Sequence, residues 1–305
     1  MFAVESQAAV RSAPILPVTT TLGPVRIGIT DTDRALAIWR DVVGLDVLAE
    51  TADTLSLGIG EAVLIELVRD AVRPVVPNTT GLYHVAIHVP TRRDLAAMAA
   101  RALERRVRIS PTDHLVSEAI YLWDADGNGI EITFETPWRG RPGGPEEGAY
   151  AIATDGRPHS GREPIDLRGL LAELGQGPIP SRMPQGTRIG HVHVHVTDLY
   201  AALRFYRDGL GFGGLFIMAE WGMGDVTLDY MPHAIAFNIW AGPNARPAPA
   251  GAAGLRHFTI VVPDAETLAA MRDRLSAIGV TVTPIDGGFE ARDPAQNRVR
   301  LVARA

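Results

Sequence analysis

Cysteine is absent from the chain, which excludes disulfides and thiolate ligands; a metal held here must use imidazole, carboxylate or water. Lysine is absent as well, so the permanently basic side chains are all arginine, a compositional bias that by itself points to no arginine-specific role. No apolar run approaches the ~18 residues of a membrane span. The opening stretch, MFAVESQAAVRSAPILP, carries Glu5 and no long apolar segment, so a secretory signal is not expected and a cytoplasmic location is. A basic surplus is missing too: 29 arginines stand against 35 Asp plus Glu, a net charge of −6, which argues against a nucleic-acid or polyanion partner.

What is present is ordinary for a soluble globular protein, 46% hydrophobic and 21% charged, in a chain of 305 residues that can hold two domains. One pattern recurs four times: an alternating strand, a capping residue, an amphipathic helix, then further strands. The copies run VRIGIT, Asp31, RALAIWRDVVGL; LYHVAIHVP, Thr91, RRDLAAMAARALE; IGHVHVHVT, Asp198, LYAALRFYRDGLGF; and LRHFTIVVP, Asp264, AETLAAMRDRLSAIG. Asp and Thr suit the cap because a side-chain oxygen accepts an orphan backbone N–H. Each copy closes on strand-like sequence (VLIELV, NGIEITFE, HAIAFNIW, NRVRLVA), so the repeat reads βαβββ. Residues 1 to about 20 read as a mobile arm. Pro137 to Pro164 reads as a Pro/Gly-rich linker, followed by a short helix over Asp166 to Leu174.

The chemistry concentrates in TDHLVSEAIYLWDADGNGIE, Thr112 to Glu131. Val116–Trp123 alternates as a strand, DADGNG makes a tight turn, and Ile130–Phe134 returns. With side chains alternating at period two, Tyr121 and Glu131 can face one side of that hairpin, with His114 close by. Any one of the three is commonplace as a structural residue; their spacing carries the argument. The run His191-Val-His-Val-His puts three more imidazoles on one strand face.

That spacing resembles the signature of the type I extradiol ring-cleavage dioxygenases, with Thr112, His114, Ile120, Tyr121, Asp124, Gly127 and Glu131 on its fixed positions. Ala125 stands where the signature has proline, which predicts a slightly looser turn. The repeat, and DLYAALRFYRDGLGF in particular, resembles the vicinal-oxygen-chelate superfamily of glyoxalase I, bleomycin-resistance proteins and extradiol dioxygenases. The order of GLYH, DHLVSEAIYL and GHVH is most similar to the two-lobed bacterial catechol 2,3-dioxygenases.

The resemblance implies an α+β fold in which four βαβββ modules form two cupped, barrel-like sheets. Its expected divisions are an N-terminal arm (1–21), a first lobe of two modules (22–136), a Pro/Gly-rich linker with a short helix (137–187) and a second lobe of two modules (188–305). Ligands in this superfamily come from the first and last strands of the modules. The first-strand positions are Pro24, His84, His191 and His257; the last-strand counterparts are Glu66, Glu131, Asn238 and Arg300. Pairing modules in chain order would place Arg300 where a carboxylate should be. Pairing the second with the third gathers His84, Glu131 and His191, the 2-His-1-carboxylate set of non-haem Fe(II) oxygenases. The crossed pairing is preferred and the chain-order pairing stays open.

Function follows as implication. The chain would cleave a catechol beside its two hydroxyls with O2, using Fe(II), with Mn(II) as the other metal. His233, in MPHAIAFNIW, resembles the family's acid/base histidine; Tyr121 would hydrogen-bond the bound oxygens, and His114 would orient substrate or Tyr121. His193 and His195 line the cavity or support the ligands, His257 is structural, and His88 and His159 are incidental. Ile120, Trp123, Phe237 and Trp240 near the site, with no arginine cluster, predict a small apolar catechol. The partners expected are an aromatic diol and O2, with no nucleic acid and no membrane, in a homo-oligomer. The rivals are a glyoxalase-like isomerase or lyase, and a non-catalytic binder of aromatic ligands.

Overall fold

The computed structural model describes residues 10–228 and 231–304, with the side chains of 145 and 231–233 outside that description. All four repeats are present. The first comprises β1 (Thr21–Gly28), α1 (Thr32–Ile38), β2 (Asp46–Glu50), β3 (Thr54–Ile59) and β4 (Ala62–Val68). The second has β5 (Thr79–His88), α2 (Arg92–Glu104), β6 (Ser110–Asp113), β7 (Ser117–Trp123) and β8 (Gly129–Glu135). A bridge follows with β9 (Gly140–Gly144), β10 (Ala149–Ala153), β11 (Pro158–His159), β12 (Glu163–Pro164) and α3 (Leu167–Ala172). The third repeat is β13 (Arg188–His195), α4 (Leu199–Leu203), β14 (Gly213–Met218), β15 (Met223–Leu228) and β16 (Met231–Asn238), and β17 (Arg246–Pro247) comes after it. The fourth is β18 (Gly254–Val262), α5 (Ala265–Ala277), β19 (Thr283–Ile285), β20 (Gly288–Arg292) and β21 (Arg298–Ala303). None of the helices is long and apolar enough to cross a membrane among the described residues.

Every predicted cap works as one. Asp31, Thr91, Asp198 and Asp264 accept the backbone N–H of Arg34, Asp94, Ala201 and Thr267, and Thr91 forms a reciprocal capping box with Asp94. Modules one and three share a further device. Their helices run on into π-helical turns (Trp39–Val43 and Arg204–Leu210) that stop at Gly44 and Gly211, whose φ of 95° and 94° a side chain would resist. Modules two and four share a buried turn, DADGN and DPAQN. Asp124 accepts from Asp126 N, Asn128 N, Asn128 Nδ2 and, at 3.1 Å, Trp39 Nε1. Asp293 likewise accepts from Tyr206 Oη at 3.0 Å. These donors pin the turn that Ala125 was expected to loosen, and each turn grips the helical segment of the preceding module.

The sheets pair differently from the chain order. One has the order β19-β20-β21-β18-β1-β4-β3-β2, and so joins modules one and four. The other runs β12-β6-β7-β8-β5-β13-β16-β15-β14 with β17 beside β5, and joins modules two and three. In both, the first strands of the two modules meet antiparallel at the centre (β1 with β18, β5 with β13), each flanked by its own last strand in parallel. The lobes expected over 22–136 and 188–305 are therefore not the units into which the sheets divide; each sheet takes one module from either side of the bridge. Two neighbouring expectations also change. Residues 10–20 are docked rather than loose, with Val10 and Leu16 buried and Ser12 and Ile15 N–H donating to Gly214 O and Gly211 O. The expected linker is largely built into the fold: β9–β11 form a three-stranded sheet, and β12 extends the large sheet through β6.

In the sheet of modules one and four, the slots equivalent to the ligand positions are filled otherwise. Arg26 lies opposite His257 and beside Glu66, and pairs with Glu66 at 3.2 Å; Arg300 faces Glu290 at 3.4 Å. His257 is buried, and its burial together with Arg300, Arg26 and Arg298 depresses its pKa to about 3. The native state keeps it neutral while the unfolded chain protonates near pH 6.5, so its stabilising contribution is present above pH 6.5 and lost as pH falls toward 3. His257→Gln should therefore lose less stability between pH 7 and pH 4 than the wild type, by on the order of 2 kcal/mol, as read from urea unfolding at the two pH values. Identical pH slopes would show that His257 does not titrate in this way.

Candidate metal centre

The central strands of the larger sheet carry the site. His84 on β5, His191 on β13 and Glu131 on β8 are all buried, and their ligand atoms form a nearly equilateral triangle. Its edges are 2.9 Å from His84 Nε2 to Glu131 Oε2, 3.1 Å from His191 Nε2 to the same oxygen, and 3.0 Å between the two Nε2 atoms. Thr133 Oγ1 donates to the other carboxylate oxygen at 2.7 Å and fixes the Glu131 plane.

Protons alone do not satisfy this triangle. If both imidazoles donate to Glu131, their Nε2–H groups oppose each other across the third edge; if either withholds its proton, a carboxylate edge is lost. A cation accepting one lone pair from each corner satisfies all three. The spacing also suits one: donors at right angles on ~2.1 Å bonds sit ~3.0 Å apart, whereas tetrahedral donors would sit ~3.4 Å apart. Burial would raise the Glu131 carboxyl pKa, but His191 and His84 outweigh it and hold it well below the usual carboxylate range. The donor set is oxygen plus imidazole, suited to Fe, Mn or Zn, and the facial arrangement leaves positions open.

The triangle forms the floor of a cavity of about 330 Å3. Tyr121 lies opposite Glu131 in the β7–β8 register, as expected of the hairpin. His114 Nδ1 meets the carbonyl of Gly161, which only accepts, so Nδ1 carries the proton; in the neutral ring Nε2 then accepts from Tyr121 Oη at 2.8 Å. Burial, then the Glu131 charge, raises the Tyr121 pKa well above 10, so it remains a phenol and a donor.

The same stretches account for the relatives. The profile of the glyoxalase/bleomycin resistance protein/dioxygenase superfamily matches residues 21–132 and 188–301. The chain belongs to this superfamily. It is 37% identical over 278 residues to the catechol-2,3-dioxygenase of Bacillus subtilis (strain 168), spanning 90% of this chain and 94% of that one. Among solved structures, a putative dioxygenase from B. subtilis superposes with TM-score 0.63 at 12% identity, over 95% of this chain and 86% of that one. Glyoxalase I from Zea mays superposes with TM-score 0.57 at 14% identity, over 93% and 92% of the two chains. These two likenesses speak to the superfamily's two-lobed fold alone.

Within the superfamily's repeat, register corrects one expected counterpart. Glu131 pairs with Ala86, two residues beyond His84; the residue pairing with His193, two beyond His191, is Ala236 and not Asn238. The fourth symmetric slot thus holds a methyl group. Asn238 is wholly buried two residues further on: its Oδ1 accepts from Trp240 N at 3.0 Å and His195 Nδ1 at 2.7 Å, while Nδ2 donates to His193 Nε2 at 2.8 Å. The backbone donor sets the amide orientation, and with it the acceptor nitrogen of His193. His88, expected to be incidental, is buried with its ring 5.7 Å from that of His191 and its Nδ1 3.1 Å from Glu135. His159 sits in β11, where its Nδ1 accepts from Gly161 N. His233 falls in β16, but its side chain lies outside the described residues.

The expected apolar lining is half right. Trp123 and Trp240 line the cavity, whereas Ile120 and Phe237 belong to the core. The wall also includes Tyr83, Tyr150, Asp225, Trp221 and Arg162. Tyr150 and Arg162 come from the bridge, and their role in the wall left no mark in a stretch that reads as linker.

Proposed function

We propose that this chain is an extradiol ring-cleaving dioxygenase acting on a catechol-type diol, with Fe(II) held by His84, Glu131 and His191. The observation that carries the reading is the buried triangle of two imidazoles and one carboxylate, open toward a cavity large enough for an aromatic ring. The identity to the Bacillus catechol-2,3-dioxygenase supports the choice of reaction. Ala236 in the fourth slot weighs against a glyoxalase-like isomerase with a second carboxylate ligand. When bound, the metal supplies Lewis acidity and one-electron chemistry that bring a diol anion and O2 into reaction.

The protein's part is binding, orientation and proton handling. Glu131 and the two histidines are rigidly placed by central strands, so the site needs little reorganisation on loading. Tyr121 presents its phenol beside the floor, oriented by His114, where its oxygen can accept a hydrogen bond from a substrate hydroxyl. Tyr83, Tyr150 and Trp221 shelter the ring from water, with Tyr150 stacked on Trp221 at 6.2 Å. His233 is the proposed proton-transfer residue.

Protein loaded anaerobically with Fe(II), given catechol and then air, should take up one O2 per catechol and form a yellow ring-opened product. Loading with Mn(II) in parallel identifies the metal. No O2 uptake with either metal, on protein shown to contain it, would remove the dioxygenase reading.

A further inference from the structure

We infer that Arg162 selects the substrate by binding a carboxylate carried at the end of the ring remote from the two hydroxyls. The inference rests on the catechol reading above and adds the class of catechol. Among the described residues Arg162 is the one arginine in the cavity wall. Its guanidinium carbon lies 5.3 Å from the centre of the Trp240 ring. That indole is itself pinned, since Trp240 Nε1 donates to Trp221 O at 2.6 Å and Trp240 N donates to Asn238. Steps of 5.0, 5.1 and 5.3 Å lead from the His84 ring through Tyr83 and Trp240 to Arg162. Arg162 is exposed and the metal ligands are buried, so the cation stands at the mouth of the cavity whose floor they form.

Arg162 is also uncommitted. Its neighbour Glu163 leans toward His159 at 3.5 Å, and no carboxylate pairs with Arg162 among the described residues. A planar fork with no carboxylate partner, placed over an indole, is suited to bidentate carboxylate recognition. The two carboxylates in the wall, Glu131 and Asp225, are both buried in the sheet. An anionic substituent is drawn to Arg162 on the bridge side, which would orient the ring with its diol toward the metal. The charge of Arg162 already reaches across the cavity, opposing the rise that burial imposes on the phenol pKa of both Tyr83 and Tyr150.

The test compares 3,4-dihydroxyphenylacetate with 4-methylcatechol on the Fe(II)-loaded wild type, Arg162→Met and Arg162→Lys. Anaerobic binding is followed by tryptophan fluorescence and turnover by O2 uptake. The wild type should favour the carboxylate compound roughly tenfold or more in binding and in kcat/KM. The preference should shrink with added salt, collapse in Arg162→Met and partly survive in Arg162→Lys, with the change in KM. A wild type that prefers the neutral diol, or an Arg162→Met protein that keeps the wild-type ratio, would overturn the inference. Failure of the parent reading looks different: carboxylate-selective, Arg162-dependent binding with no O2 uptake would keep the anion site and remove the dioxygenase.

Discussion

His84→Ala, Glu131→Ala and His191→Ala should each purify with little metal after Fe(II) loading and show no measurable O2 uptake, whereas His257→Ala should load as the wild type does. Removing one corner leaves two donors and, for either histidine, a buried carboxylate facing a void. The loss in metal affinity should exceed the ~10–100-fold typical of removing a partner that merely supports a ligand. His257 occupies the equivalent first-strand slot, yet its surroundings are Arg26, Arg298 and Arg300, with Glu66 already engaged by Arg26. A divalent ion placed there would meet three cations. Metal content by elemental analysis, read beside far-UV circular dichroism to confirm folding, decides the matter. Full metal in His191→Ala with loss in His257→Ala would place the centre in the other sheet.

That contrast also shows where sequence reasoning reached and where it stopped. The repeats, their four caps and the Tyr121–Glu131 hairpin are local, carried by periodicity and by side chains that act within a few residues of their own backbone. Which modules share a sheet is not local. The chemistry of the slots, through Arg300 and Pro24, favours the crossed arrangement, and β5 pairs with β13 and β1 with β18. Counting along the chain misplaced one slot: β13 and β16 pair in unbroken register, which sets Ala236 beside His193 and carries Asn238 on to His195. The bridge was least legible. Its strands are very short and rich in glycine and proline, three of them pairing with one another and β12 with the distant β6, so Tyr150, Gly161 and Arg162 reach the cavity unannounced.

Tyr121→Phe and His233→Ala should keep their metal and lose turnover, the reverse of the ligand variants. Tyr121 has no corner in the triangle; its hydroxyl ends 2.8 Å from His114 Nε2, and its ring lies 5.5 Å from that of His84. Deleting the hydroxyl removes one positioned hydrogen-bonding group at the floor, and loss of such a group typically costs ~10²–10³-fold in kcat. His233 is assigned proton transfer, and loss of a general acid–base group typically costs ~10²–10⁴-fold. His114→Gln should fall between Tyr121→Phe and the wild type, because it frees the phenol without deleting it. The separation is read from metal content and anaerobic substrate affinity near the wild-type values together with a depressed kcat. Loss of metal in Tyr121→Phe would make the phenol part of the metal's support. Near-wild-type turnover of His233→Ala across the pH range would move the proton-transfer role elsewhere in the wall, with His193, held by Asn238 beside His84, the next residue to replace.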